Sequence, residues 1–112
     1  MLKKYYFLLL GFSVLISLET FAVGQAGPLP ITRIRTGWNG DTFAIETNQT
    51  IVNPAKCTYP DAYMSSATEP GYKTYLAATM TAFSMNKPVT IIVSDTECVA
   101  SRPKIWGVYI AQ

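Results

Sequence analysis

The sequence predicts a mainly β domain with one helix: a small OB-like five-stranded barrel in the order strand, strand, strand, helix, strand, strand. Three observations predict it. An Asn39-Gly40 pair sits between two strand-like stretches, residues 31–47. From Tyr72 to Phe83 the apolar spacing changes to three and four. Two apolar strand-like runs, 89–94 and 104–110, follow. A helix between the third and fourth strands is the OB arrangement, and closure removes strand edges that so short a chain has few other ways to cover. The alternative is an open α+β sheet with one packed helix.

The first 22 residues have the order of an export signal. Lys3 and Lys4 form a positive start, an apolar run covers Tyr5 to Leu18, and small residues follow at Thr20, Ala22, Gly24 and Ala26. That pattern predicts cleavage after Ala22 or Ala26. Fourteen positions, closed by Glu19, fall short of the roughly 20 apolar residues a spanning helix needs. Residues 23–112 are then one small exported domain, periplasmic or secreted, without stable membrane insertion.

Asn-Gly is a preferred two-residue hairpin turn because both positions accept positive φ. With Asn39 and Gly40 at the tip, Thr36 faces Phe43 and Ile34 faces Ile45 on an apolar side. Arg35 faces Ala44 and Arg33 faces Glu46 on a polar side, where opposite charges directly across an antiparallel pair are favourable. A slip of one residue would turn the charges inward.

Thr50 to Val52 predicts a short third strand ended by Asn53-Pro54, since proline cannot donate to a ladder. Lys56 to Ala67 reads as an irregular connection. Tyr72, Tyr75, Leu76, Thr79, Met80 and Phe83 lie on one helical face, with Thr68 and Pro70 at its start and Asn86 and Pro88 at its end. In a small β domain such a face packs on the sheet. Val89–Ser94 reads as a buried strand, Asp95–Pro103 as a polar loop, and Lys104–Ile110, apolar on both faces, as a central or barrel-closing strand.

Without Lys3, Lys4 and Glu19, seven Lys or Arg face six Asp or Glu, dispersed along the chain. No basic stripe results, so nucleic acid is not an implied partner. The two cysteines, Cys57 and Cys98, read as a disulfide in an oxidising compartment; closing a loop of that length restricts the unfolded chain by roughly 4 kcal/mol. The chain contains no histidine, which removes Ser-His-Asp and Cys-His nucleophile systems and imidazole metal sites. No phosphate loop or EF-hand pattern occurs, and neither a cofactor nor a metal is expected. Asp95 and Glu97 are the closest carboxylates in sequence, beside a cysteine in a polar loop.

Aromatic residues in turns and irregular segments are the recognition candidates: Trp38 at the hairpin tip, and Tyr59 and Tyr63 in the connection. Asn48-Gln49-Thr50 matches an N-glycosylation sequon.

Gly71-Tyr72-Lys73-Thr74-Tyr75-Leu76-Ala77-Ala78, then Asn86-Lys87-Pro88-Val89-Thr90, Cys98, and Ile105-Trp106-Gly107-Val108-Tyr109-Ile110 resemble a group of small exported proteins of unknown function from Gram-negative bacteria. More distantly, the layout is similar to the B subunits of AB5 toxins, OB barrels that form pentamers and bind glycans; that likeness informs the fold more than the function. The expected function is an exported, non-catalytic binding module for a glycan, small molecule or protein. A structural or regulatory subunit of an oligomeric assembly is the alternative.

Overall fold

The computed structural model describes residues 23–37 and 40–111. The expected leader, Trp38 and Asn39 lie outside the described residues. Six strands and one helix follow in order: β1 (Val23–Leu29), β2 (Arg33–Thr36), β3 (Thr42–Glu46), β4 (Tyr63–Ser66), α1 (Tyr72–Ser84), β5 (Val89–Val99) and β6 (Arg102–Ile110). They form one sheet in the order β1-β5-β6-β4-β3-β2. The fold is therefore mainly β with one helix, as expected, but the sheet is an open row of six strands instead of a closed barrel of five.

The hairpin has the expected register. Arg33 pairs with Glu46, Ile34 with Ile45, Arg35 with Ala44 and Thr36 with Phe43. Gly37 before the tip and Gly40 within it take positive φ, 76° and 136°, and both have open space where a Cβ would stand. Backbone conformation alone thus demands glycine there.

The third strand is not Thr50–Val52. Those residues form a link in which Ile51 and Val52 pack on the core and the Val52 N–H donates to the Tyr63 hydroxyl, 2.8 Å away. Strand β4 comes instead from the supposed connection, pairing Phe43 with Ser65 and Ile45 with Tyr63. Serines weaken the strand signal locally; position between β3 and β6 supplies it. The expected polar loop 95–103 also shrinks, because β5 and β6 both run into it and Ala100 and Ser101 turn the chain at positive φ.

Strand β1 has no counterpart in the sequence reading. It pairs with β5 from Val23↔Ser94 to Leu29↔Val89, with an irregularity after Ala26. There Gly27, at φ 117°, would bring a Cβ to 2.6 Å from the Val89 carbonyl oxygen, so the close approach of two backbones requires glycine. Only residues 30–32 separate β1 from β2, and the Thr32 N–H already donates to Glu46 O. One stretch of chain, 23–36, therefore forms both outer strands.

The main core lies between the sheet and α1. Leu29, Phe43, Ile45, Tyr63, Val89, Ile91, Val93 and Ile105 are buried there, and Tyr72, Tyr75 and Leu76 pack on them from the helix. The Phe43 and Tyr72 rings meet at 5.6 Å in a tilted pair. The helix face is rotated from expectation: Thr79 and Ala82 are its buried residues, whereas Met80 and Phe83 are exposed. Bulkier side chains stand aside so that the small Ala82 can approach the sheet. Gly71 is the N-cap, without a side-chain cap bond; the Thr68 hydroxyl bonds to that of Ser66 instead.

Candidate functional site

Opposite the main core, the sheet carries a second, smaller apolar cluster of Ala44, Ala62 and Met64, with Val99 packed on it. Pairing places Arg35, Ala44, Met64 and Lys104 on this one face. Charged side chains roof it. Arg33 Nε donates to Glu46 Oε2 at 2.9 Å. Arg35 Nε lies 3.0 Å from the same oxygen without hydrogen-bond alignment, an ion contact rather than a bond. Arg35 Nη2 donates to Asp61 Oδ1 at 3.1 Å, and Arg102 Nε reaches that oxygen at 2.8 Å.

The hydrogen bond from Arg102 holds the Asp61 carboxyl below its ordinary range; partial burial opposes this and Arg35 adds to it. At the rim, Lys104 lies between Glu69, 3.0 Å away, and Glu97. Partial burial works against its charge, but the two carboxylates outweigh that and raise its pKa.

A disulfide ties down the segment beneath this roof. Cys57 and Cys98 are bonded, joining the stretch after Pro54 to the end of β5. Asn53 brackets the same point: its side-chain carbonyl accepts from the Cys57 N–H at 2.8 Å and its amide donates to Cys57 O at 3.0 Å.

The three aromatic candidates separate. Tyr59 is 59% exposed, its N–H donates to Ser101 O, and the Arg102 guanidinium lies 5.8 Å from its ring centre. It is the one of the three that the structure places at the surface. Tyr63 is fully buried and burial raises its hydroxyl pKa; it is a core residue of β4 with no face for a ligand. Trp38 lies outside the described residues, so the structure locates only its neighbours Gly37 and Gly40.

Beside that tip the structure adds a feature the sequence reading missed. A groove of about 360 Å³ is lined by Asp41, Ala67, Thr68, Glu69, Pro70, Tyr72 and Lys73. It forms because Ala67 N–H donates to Asp41 O at 2.9 Å, which holds the base of the hairpin tip against the start of α1. Ligand sites commonly measure about 300–1,000 Å³ and combine apolar walls with a few polar groups. Here a carboxylate, an amine, a threonine hydroxyl and an aromatic ring converge. Glu69 is engaged by Lys104, which leaves Asp41 and Lys73, both exposed, for contact with a solute. A second cavity, about 80 Å³ between Ile31, Ala82, Phe83 and Lys87, is too small for more than a side-chain tip. Of the carboxylates adjacent in sequence, Glu97 is taken by Lys104 and lies with Asp95 in β5 rather than in a loop.

Among the described residues no helix is long and apolar enough to cross a membrane, and no cluster of three or more His, Cys, Asp or Glu side chains could hold a metal ion. Comparison with protein-family models, with curated proteins and with solved structures found no match.

Proposed function

We propose that the chain is an exported, non-catalytic binding module whose ligand site is the groove between the hairpin tip and the start of α1. The groove itself carries this reading: at about 360 Å³ it is of ligand size, and it joins the hydrogen-bonding groups of Asp41 and Lys73 to the aromatic wall of Tyr72. Asp41 and Lys73 are exposed and line the groove, which suits hydrogen-bonded recognition of a polar solute. Glycans and small polar molecules fit that set of groups. Screening the mature chain on a glycan array and a small-molecule library tests the proposal. Binding should weaken at least tenfold in Asp41→Ala and Lys73→Ala while both variants melt like the parent; undiminished binding would remove the groove as the site.

Export is supported by the leader pattern and by the disulfide, whose chemistry suits an oxidising compartment. Cleavage after Ala22 preserves β1, whereas a cut after Ala26 would remove Val23, Gly24, Gln25 and Ala26, which pair with β5. N-terminal sequencing of exported material should read Val23.

The OB-like order of elements is retained as a proposal, without closure of the sheet. Taken as one bent strand, 23–36 restores the order strand, strand, strand, helix, strand, strand. The subunit alternative rests on the outer edges of β1 and β2, which pair with no further strand among the described residues, since open edges are templates for pairing with another chain. Light scattering on the mature chain separates the alternatives: a discrete oligomer supports the subunit, a monomer the free module.

A further inference from the structure

The segment after β3 serves neither the core nor the groove. Asn48, Gln49 and Thr50 form an exposed bend held between two fixed points, the β3 ladder that ends at Glu46 and the core-packed pair Ile51 and Val52. Among the described residues neither the Asn48 amide nor the Thr50 hydroxyl has a hydrogen-bond partner. Asn53 makes the contrast. It is followed by proline, and both ends of its amide are spent on Cys57. Asn48 is also the one asparagine in the sequence with a hydroxyl residue two places on and no intervening proline.

We propose that Asn48 is an N-glycan acceptor, modified by an oligosaccharyltransferase that draws on a lipid-pyrophosphate-linked oligosaccharide. An acceptor must present an asparagine amide and a hydroxyl two residues later from an accessible stretch of chain. The bend supplies both groups free, on a loop that can bend into an enzyme cleft without breaking a ladder. In the reaction Asn48 Nδ2 attacks the anomeric carbon of the oligosaccharide. The new C–N bond forms as the C–O bond to pyrophosphate breaks, the lipid pyrophosphate leaves with the electron pair, and one amide proton passes to the medium. The glycan would stand on the β3–β4 connection, away from the groove lining, so modification and ligand binding are compatible.

The proposal rests on the export reading, and the test has two arms. In the first, the oxidised, folded chain is incubated with a purified oligosaccharyltransferase and a lipid-pyrophosphate-linked oligosaccharide of known mass. One glycan increment on the peptide bearing Asn48 is expected, absent from N48Q and T50A and retained in Q49A, with all three variants melting like the parent. A folded chain that gains no mass overturns the proposal. In the second arm, the chain is recovered from its own cells and its Asn48 peptide weighed: the glycan increment supports the proposal, and a bare peptide on a chain beginning at Val23 overturns it. A chain recovered still beginning at Met1 overturns the export reading instead, and the proposal is then decided by the first arm.

Discussion

The two halves of the sheet are covered differently. Strands β3 and β4 are buried on both faces, with Phe43, Ala44, Ile45, Tyr63 and Met64 all at 2% exposure or less. Strands β5 and β6 bury one face, through Val89, Ile91, Val93 and Ile105, and leave Trp106 and Tyr109 exposed. The double cover is not two apolar layers. On one side it is α1; on the other it is a disulfide-held segment and a roof of arginines over three small or flexible side chains. Among the described residues α1 is the one helix, and it lies on one side of the sheet. Charged groups with long aliphatic stems can shield apolar surface at the edge of water, and here they do so where the sheet is narrowest.

This contrast predicts unequal costs. Phe43→Ala, in the doubly covered half, should lower stability by about 3–5 kcal/mol, whereas Trp106→Ala, on the open face, should cost less than about 1 kcal/mol. Urea melts of the two variants measure the gap, and comparable losses would erase the distinction. Next in size is the fastener of the roofed side: replacing Cys57 and Cys98 together by serine should cost about 2–5 kcal/mol. The loss should appear first as exchange of the backbone amides between 57 and 62.

Tyr63→Phe isolates one atom of the doubly covered half. The ring stays, but the Val52 N–H loses its acceptor in a part-buried position, an expected cost of about 1–3 kcal/mol by thermal or chemical melt. The smallest effect belongs to the roof. The Asp61 carboxyl titrates below its ordinary value of 3.8 in the folded chain. Its contribution is therefore complete above the unfolded pKa and is lost as pH falls through the folded one. The stability difference between the parent and Asp61→Asn should be under about 1 kcal/mol for so exposed a pair, and should vanish in strongly acidic solution. A difference that held steady through acid would exclude the ion pairs as its source.

The same contrast marks what was legible in the sequence. The hairpin register followed from Asn39-Gly40 and from the placement of Arg33 and Glu46, because turn, alternation and charge all depend on neighbours in sequence. The helix was legible for a similar reason, although its cap is Gly71 and not Thr68; the cysteine pairing was legible because two cysteines allow only one bond within the chain. Strand β4 was not: Tyr63-Met64-Ser65-Ser66 becomes a strand because β3 and β6 flank it, and Tyr63 accordingly passes from candidate binding residue to core. Strand β1 was hidden by Gly24, Gly27 and Pro28, which weaken a strand pattern, and by its position just after the leader. The groove was legible only in part. Thr68 reads in the sequence as a residue at the helix start, but its meeting with Asp41 depends on a contact between segments more than 20 residues apart.

The outward side of α1 has a colloidal consequence. Lys73, Thr74, Ala77, Met80, Thr81, Phe83 and Ser84 are all exposed, yet Lys73 is the one charge among them. A surface helix ordinarily carries charges that keep molecules apart in solution. From Val23 onward acids and bases nearly balance, so long-range repulsion between molecules is weak as well. The shelf life of concentrated solutions should therefore depend more on this neutral strip than on folding stability, and a single Thr81→Glu should raise the precipitation threshold without moving the melting temperature.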